Sequence, residues 1–186
     1  EIQRFLDRHK NNLQFPAIYF GDEVGTFGEH GEGLHKKVWS EAELKLLWVF
    51  PSRGQDWRGN GTILLFYYML NMWHKNVLME RTFMNENPAE WKLFRDYGVP
   101  FFGVESKHPM ADFDCLMVSI SYLPPWINFV NMLNVSGIPV RRAEREGGDY
   151  PLVVIGGSAS FGNFSLFAPV VDVVFLGDAE DEEDGG

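Results

Sequence analysis

Five short runs of apolar residues recur along the chain, and a helical pattern or a loop separates each run from the next. The first run, LKLLWVF at residues 44–50, is almost continuous in apolar side chains and ends at Pro51. Such a run is typical of a strand that is buried on both faces of a parallel sheet, because helices cover both sides of these sheets. The pattern therefore limits the chain to a layered fold in which helices pack on a parallel sheet.

Predicted strands and helices alternate from this point onward. Ile63, Phe66, Tyr67 and Leu70 recur at intervals of three and four residues and predict a helix. We predict further strands at residues 77–81, 115–121, 151–155 and 171–176, and further helices at residues 88–97, 126–135 and 163–167. Right-handed crossovers between such elements favour an α/β fold with a doubly wound, mostly parallel five-stranded sheet in the flavodoxin-like order 2-1-3-4-5.

One predicted helix carries clear start and stop signals. Asn87 is a favourable N-cap, and Pro88 suits the first turn of a helix. Glu90 stands at the third position of a capping box, and Gly98 follows the last turn. The helix is therefore expected to begin after Asn87 and to end before Gly98.

The first forty residues differ from the rest of the chain. Apolar residues near helical spacing predict a short amphipathic arm, formed by Ile2, Phe5, Leu6, His9 and Leu13. A glycine-rich loop follows it. We divide the chain into an arm and loop at residues 1–40, an α/β domain at residues 41–180, and an acidic tail at residues 181–186.

Charge and cysteine content exclude several classes of protein. The net charge is −10, and six of the 26 acidic residues lie in the last nine positions. The body of the chain has no basic surface for nucleic acid, and no apolar stretch is long enough to cross a membrane. The single cysteine, Cys115, permits neither an intramolecular disulfide nor a cysteine-bound metal cluster. We expect a cytoplasmic location.

Ligands of doubly wound sheets bind outside the carboxyl ends of the strands, so the loops there hold the candidate site. Glycines after the fourth strand let the backbone approach a ligand closely, and serines offer hydroxyl groups for hydrogen bonds. The candidate cofactor-binding residues are Ser52, Arg53, Gly54, Gln55, Ser119, Ser121, Gly156, Gly157, Ser158 and Gly177. A plain strand-to-helix turn or a helix cap explains the glycines and serines equally well, and the residues alone leave this open.

Fingerprints of several other sites are missing from the sequence. It contains no G-x-G-x-x-G for a dinucleotide, no G-x-x-x-x-G-K-[ST] for a nucleoside triphosphate and no G-x-S-x-G nucleophile elbow. We therefore assign no catalytic residue and no metal ligand. The residues by themselves indicate a ligand-binding α/β domain of unknown chemistry.

Seven short segments share their order and spacing with one known group of proteins. They are YFGDE at 19–23, LLWVF at 46–50, FFGVES at 101–106, DFDCLMVSISY at 112–122, NML with GIP at 131–139, PLVVIGGS at 151–158 and FLGDAE at 175–180. Together they resemble the N-terminal, cobalamin-binding-type domain of radical S-adenosylmethionine (SAM) proteins. The resemblance covers roughly residues 18–183.

The resemblance implies a cobalamin-binding-like Rossmannoid domain that precedes a catalytic barrel. The barrel carries a C-x-x-x-C-x-x-C motif for a [4Fe–4S] cluster that cleaves SAM. Cys115 alone cannot bind a cluster, so the resemblance leads us to expect the cluster and SAM in a C-terminal domain outside this chain. The implied partner is this radical SAM barrel, in cis or in trans, and the acidic tail marks its expected start. The chain alone is not expected to be catalytic, whereas the whole protein is expected to be a radical SAM enzyme.

One departure from the cobalamin pattern leaves two hypotheses open. Cobalamin domains of methyltransferases carry D-x-H-x-x-G, whose histidine binds cobalt, but residues 52–57 read SRGQDW. Many radical SAM relatives also lack this histidine. Either the domain binds a corrinoid without it, or it has lost the cofactor and acts as a protein-interaction module.

Overall fold

A computed structural model describes residues 1–21, 26–27, 37–52, 61–84, 87–160 and 164–177. Its centre is a five-stranded sheet in the order β2-β1-β3-β4-β5, and all four neighbouring pairs are parallel. The strands are β1 (Leu44–Phe50), β2 (Val77–Phe83), β3 (Cys115–Ser119), β4 (Leu152–Gly156) and β5 (Val173–Val174). The predicted α/β class, parallel sheet and strand order are confirmed.

The described helices connect these strands or precede them. They are α1 (Ile2–His9), α2 (Ala17–Phe20), α3 (Gly61–Trp73), α4 (Pro88–Asp96), α5 (Pro124–Val135) and α6 (Arg142–Arg145). Short 3₁₀ turns occur at Lys10–Asn12, Trp39–Glu41, Met110–Asp112, Ser158–Ser160 and Phe164–Leu166. Across the described ranges, every helix is too short or too polar to span a lipid bilayer.

Helix α4 begins and ends where its sequence predicts. The Asn87 side chain accepts a hydrogen bond from the Ala89 amide, and Gly98 follows the helix with a φ of 62°. The predicted capping role of Glu90 is wrong. Its buried carboxylate instead accepts hydrogen bonds from the Tyr19 hydroxyl, at 3.1 Å, and from the Gln14 amide. Glu90 therefore ties α4 to the N-terminal arm.

The arm itself packs as its spacing predicts. Ile2, Phe5 and Leu6 of α1 are buried in a cluster that also contains Phe94 and Phe102. The Phe5 and Phe94 rings meet edge to face, with 5.2 Å between centroids. The apolar side of α1 thus covers one flank of the domain.

The two faces of the sheet are covered to different extents. On the α5 face, Leu47, Leu116 and Val153 are fully buried beneath α5, whose Phe129 and Leu133 belong to the same core. On the α3 face, a second core packs β1 and β2 against Ile63 and Tyr67 of α3. Toward β5 this α3 face becomes progressively exposed.

Strand β2 forms one edge of the sheet, and a following segment lies against it. The Val104 amide donates to the Arg81 carbonyl at 2.8 Å, and Phe102 forms an antiparallel bridge with Pro109. Gly103 lets this segment approach closely, because an added Cβ would lie 2.1 Å from Glu80 Oε2 and 2.6 Å from Phe113 Cζ and would force these buried side chains to move.

Strand β5 forms the opposite edge and is shorter than predicted. It pairs with β4 only through Val173 and Val174, instead of the six residues expected. Arg145 reinforces the start of this strand. Its Nη2 atom donates to the Val170 carbonyl at 2.5 Å and to Asp172 Oδ2 at 3.0 Å, while Asp172 Oδ2 also accepts from the Val153 amide at 2.8 Å.

Candidate functional site

The carboxyl edge of the sheet brings together the turns that follow β3 and β4. Ser119, the last residue of β3, is directly paired with Gly156, the last residue of β4. Ser119 is half-buried on the α3 face, and Ser121, two residues further on, is exposed. The predicted hydroxyl groups therefore stand next to the predicted glycines.

Three hydrogen bonds join these two turns. The Ile120 amide donates to the Gly156 carbonyl at 3.0 Å, and the Ala159 amide donates to the Ile120 carbonyl at 3.1 Å. The Ser158 hydroxyl donates to the Ser121 carbonyl at 3.1 Å. Two candidate serines, Ser121 and Ser158, therefore lie side by side, and backbone hydrogen bonds connect the turns that carry them.

The two adjacent glycines have different roles. Gly157 has a φ of 102°, and a Cβ there would lie 2.6 Å from the Ile120 carbonyl oxygen. Its small size is required by the packing of the two turns, which is a structural reason that the sequence did not predict. At Gly156 an added Cβ would make only ordinary contact, 3.8 Å from Phe175 Cβ. Among the described residues, Gly156 is therefore the position where the absence of a side chain leaves room on the α3 face.

Two further described candidates, Ser52 and Gly177, lie farther along the same edge. Ser52 is buried just beyond β1, next to Pro51, whose carbonyl accepts from Asn128 Nδ2 of α5 at 2.9 Å. Gly177 follows β5, is exposed and has a φ of 135°. The candidates Arg53, Gly54 and Gln55 lie outside the described residues.

Three of the five histidines are described, and all three lie away from the carboxyl edge. His9 packs on Phe5 in the arm, His74 follows α3 before β2, and His108 stacks on Trp39 with 3.7 Å between ring centroids. Within the described ranges, no three His, Cys, Asp or Glu side chains form a group suited to a metal ion. The described polar groups at this edge are serine hydroxyls and backbone amides and carbonyls.

A buried charge cluster, formed by Glu80, Arg81 and Glu105, lies at the β2 edge and was not predicted. Arg81 Nε donates to Glu105 Oε1 at 2.7 Å, and Arg81 Nη2 lies 2.6 Å from the same oxygen. Both side chains are at least 97% buried. Arg81 also stacks over Tyr67, 5.2 Å from the ring centroid. The sequence feature that could have revealed this cluster is the pair of charged residues, Glu80 and Arg81, inside a predicted strand.

The pKa of Glu80 is raised in this cluster. Its carboxylate accepts from the Ser106 amide at 3.0 Å. Burial, and secondly the negative charge of Glu105, raise the pKa of Glu80 to about 8. Burial also raises the pKa of Tyr67, whose hydroxyl accepts from the Phe27 amide at 2.8 Å. The cluster binds the segment around Glu105 to the sheet edge.

Cys115 stands at the amino end of β3, the end opposite the candidate site. It is half-buried on the α3 face, and burial followed by the charges of Asp114 and Asp172 raises the pKa of its thiol to about 11. A thiol with this pKa is almost entirely protonated at neutral pH and is a poor nucleophile.

The fold and the polar carboxyl edge define the class of protein as a doubly wound α/β domain with a potential ligand site at the ends of β3 and β4. A family model described as the N-terminal region of radical SAM proteins matches residues 62–184, about two thirds of the chain. The chain therefore belongs to this family, which confirms the predicted radical SAM association. No curated protein matches the chain. The cobalamin-binding type of the domain stays a prediction.

Proposed function

We propose that this chain is an accessory domain of a radical SAM protein and binds a corrinoid at the carboxyl edge of its sheet. The observation that carries the proposal is the junction of the turns after β3 and β4, where Ser119 and Gly156 are paired in register. Ligands of doubly wound sheets bind at this edge, near the point where the strand order reverses. That point lies between β1 and β3 in the order found here.

Each group at this edge has a defined task in the proposal. Gly156 leaves space for a flat ring on the α3 face, and the Ser119 and Ser121 hydroxyls offer hydrogen bonds to the amide groups at the corrin rim. A bound corrinoid would supply a cobalt centre for methyl transfer. The [4Fe–4S] cluster and SAM would be bound by the radical SAM barrel rather than by this chain.

The test is reconstitution with hydroxocobalamin, followed by desalting and a visible spectrum. We expect the folded chain to retain corrinoid absorbance. Gly156→Leu places a side chain in the proposed space and should reduce retention at least tenfold. Leu152→Ala, at the other end of the same strand, is the matched control and should retain the corrinoid.

Circular dichroism of each variant separates loss of binding from loss of folding. Gly157 is unsuitable for this test, because a larger residue there would collide with the Ile120 backbone. The proposal is wrong if the folded wild-type chain retains no corrinoid, or if Gly156→Leu retains it fully.

The second candidate function is a protein-interaction module that has lost the cofactor. It is favoured by the position of the described histidines, none of which lies at the carboxyl edge. Complete loss of colour from a chain with an intact circular dichroism spectrum supports this alternative.

A further inference from the structure

A pocket of about 340 Å³ lies at the amino edge of the sheet, opposite the proposed corrinoid site. We call it the amino-edge pocket. It lies between α6 and the starts of β3, β4 and β5, and its polar lining consists of Asp114, Arg142, Arg145, Glu146, Tyr150 and Asp172. Small-molecule sites have volumes of about 300–1,000 Å³. The amino-edge pocket therefore has room for one small molecule.

The acidic wall of the pocket is held in place by backbone groups. Asp114 Oδ2 accepts from the Lys45 amide at 2.6 Å. Asp172 Oδ2 accepts from the Val153 amide at 2.8 Å. Asp172 also forms an ion pair with Arg145 at 3.0 Å, so these two charges offset each other. Asp114 is therefore the fixed carboxylate of this wall that remains available for a ligand.

Charges of both signs line the pocket without neutralising each other. Arg142 of α6 and Glu146, four residues later, are both exposed. In the described part of the chain, no ion pair joins Arg142, Glu146 or Asp114 to a residue of opposite charge. Charges on a ligand would complement these side chains. The pocket thus matches a ligand that carries a cationic and an anionic group.

One buried donor in the lining lacks an acceptor. The Arg145 side chain is 3% exposed, and its Nη1 and Nη2 atoms donate to backbone carbonyls and to Asp172. Its Nε–H is buried and has no hydrogen-bond partner among the described residues. A buried donor without an acceptor is unfavourable. An anionic group bound beside Arg142, three residues earlier on the same helix, would bring an acceptor to this side of the pocket.

Tyr150 gives the pocket an apolar wall. Its ring packs on Gly148, where an added Cβ would lie 2.7 Å from Tyr150 Cε2. Tyr150 and Leu152, at the start of β4, both line the pocket and are both exposed. An aromatic or aliphatic group of a ligand would bury this apolar surface. The lining therefore combines two charged contacts with one apolar contact.

We propose that the amino-edge pocket binds an α-amino acid with an apolar side chain, which is a small zwitterion. Arg142 binds the carboxylate, because a guanidinium group donates two parallel hydrogen bonds to a carboxylate. Asp114 and Glu146 bind the ammonium group, and the apolar side chain packs on Tyr150. The proposal goes beyond the proposed function, since this pocket and the corrinoid site lie at opposite edges of the sheet.

An NMR titration with L-phenylalanine as the probe tests the proposal. Saturation transfer from this chain to the phenyl ring reports binding, and the titration gives the dissociation constant. Two matched probes each lack one charge, because phenethylamine has no carboxylate and 3-phenylpropanoate has no ammonium group. We expect L-phenylalanine to bind about tenfold more tightly than either of them, or better.

Two exposed residues allow the two charges to be tested separately. Arg142→Gln should weaken binding of L-phenylalanine about tenfold and leave binding of phenethylamine unchanged. Glu146→Gln should weaken binding of both amines about threefold, since Asp114 remains, and leave 3-phenylpropanoate unchanged. Arg141→Gln is the matched control, because Arg141 is exposed beside the pocket but is not part of its lining. It should bind L-phenylalanine as the wild type does.

Circular dichroism confirms that each variant is folded. The proposal is wrong if the folded chain shows no saturation transfer to L-phenylalanine, or if Arg142→Gln binds it as tightly as the wild type. Equal affinity for phenethylamine would indicate a cation site, and equal affinity for 3-phenylpropanoate an anion site. Either result would overturn the zwitterion.

The corrinoid test and this test fail independently. Gly156→Leu lies at the carboxyl edge and should leave binding of L-phenylalanine unchanged. Arg142→Gln lies at the amino edge and should leave retention of hydroxocobalamin unchanged. A chain that binds L-phenylalanine but retains no corrinoid refutes the proposed function alone, and the reverse result refutes the amino-acid site alone.

Discussion

The two edges of the sheet differ in how they are completed. At the β2 edge, Val104 extends the hydrogen bonding of the strand, and the buried charge cluster holds Glu105 beside Arg81. At the β5 edge, two residues pair with β4 and the neighbouring apolar side chains are exposed. The comparison teaches that the described residues bury the β2 edge of the sheet far more completely than the β5 edge. Stability should therefore be far more sensitive to substitutions at the β2 edge.

The largest effect is expected for Arg81→Met. The substitution leaves the Glu105 carboxylate buried without its cation, and breaking a buried ion pair in this way costs about 3–5 kcal/mol. Urea unfolding followed by circular dichroism measures the loss. Arg95→Met is the control, because Arg95 is exposed on α4 and should change stability by less than about 0.5 kcal/mol. Similar losses for the two variants would contradict the contrast between buried and exposed arginines.

A smaller, pH-dependent effect is expected for Glu80→Gln. The pKa of Glu80 is raised in the folded chain to about 8, so the folded state holds a proton that the unfolded state releases near its ordinary value of 4.5. The free energy of unfolding should therefore decrease as the pH rises from about 4.5 to about 8. The glutamine variant carries no titrating proton and should lose this part of the decrease.

Urea unfolding at pH 5, 6, 7 and 8 measures the slope for both proteins. Glu144→Gln is the control, since Glu144 is exposed on α6 and its variant should keep the wild-type slope. An unchanged slope in Glu80→Gln would mean that Glu80 is already ionised at pH 5.

The smallest effect is expected at the β5 side, for Leu152→Thr. Leu152 is 46% exposed, and threonine is favourable in strands, so unfolding free energy should change by less than about 1 kcal/mol. The same urea experiment measures it. Leu116→Thr, on the neighbouring strand but fully buried on the α5 face, should cost several times more. Equal costs would contradict the exposure of Leu152 on the α3 face near β5.

The fold was largely predictable because its strands are continuous apolar runs. Residues 44–50 matched β1 to the residue, and the capping signals at Asn87 and Gly98 gave the limits of α4 to within about one residue. The extent of β5 was not predictable. Its apolar run continues to Leu176, but pairing stops at Val174, and apolar character alone does not distinguish paired residues from exposed ones.

The position of the described candidate residues at the carboxyl edge follows from the predicted topology, but the contacts between them could not be predicted. The predicted strand order puts the ends of β3 and β4 side by side at one edge, and the structure pairs Ser119 with Gly156 there. The contact that requires glycine at position 157 depends on the Ile120 carbonyl, which is a tertiary detail absent from local sequence. The ion pair between Arg81 and Glu105 joins residues 24 apart and likewise needs the folded chain.

The hydrogen bonds of Arg145 influence how the β5 segment separates from the sheet during local unfolding. The Asp172 and Phe175 amides bond to the Val153 and Ile155 carbonyls of β4. The β5 segment is held further by one guanidinium that binds Val170 and Asp172, and by the Asp172 carboxylate that binds the Val153 amide. These contacts share atoms, so they should break together. The β5 segment, including the Phe175 amide that bonds to Ile155, should then exchange its hydrogens with solvent as one unit, well before the amides between β1 and β3.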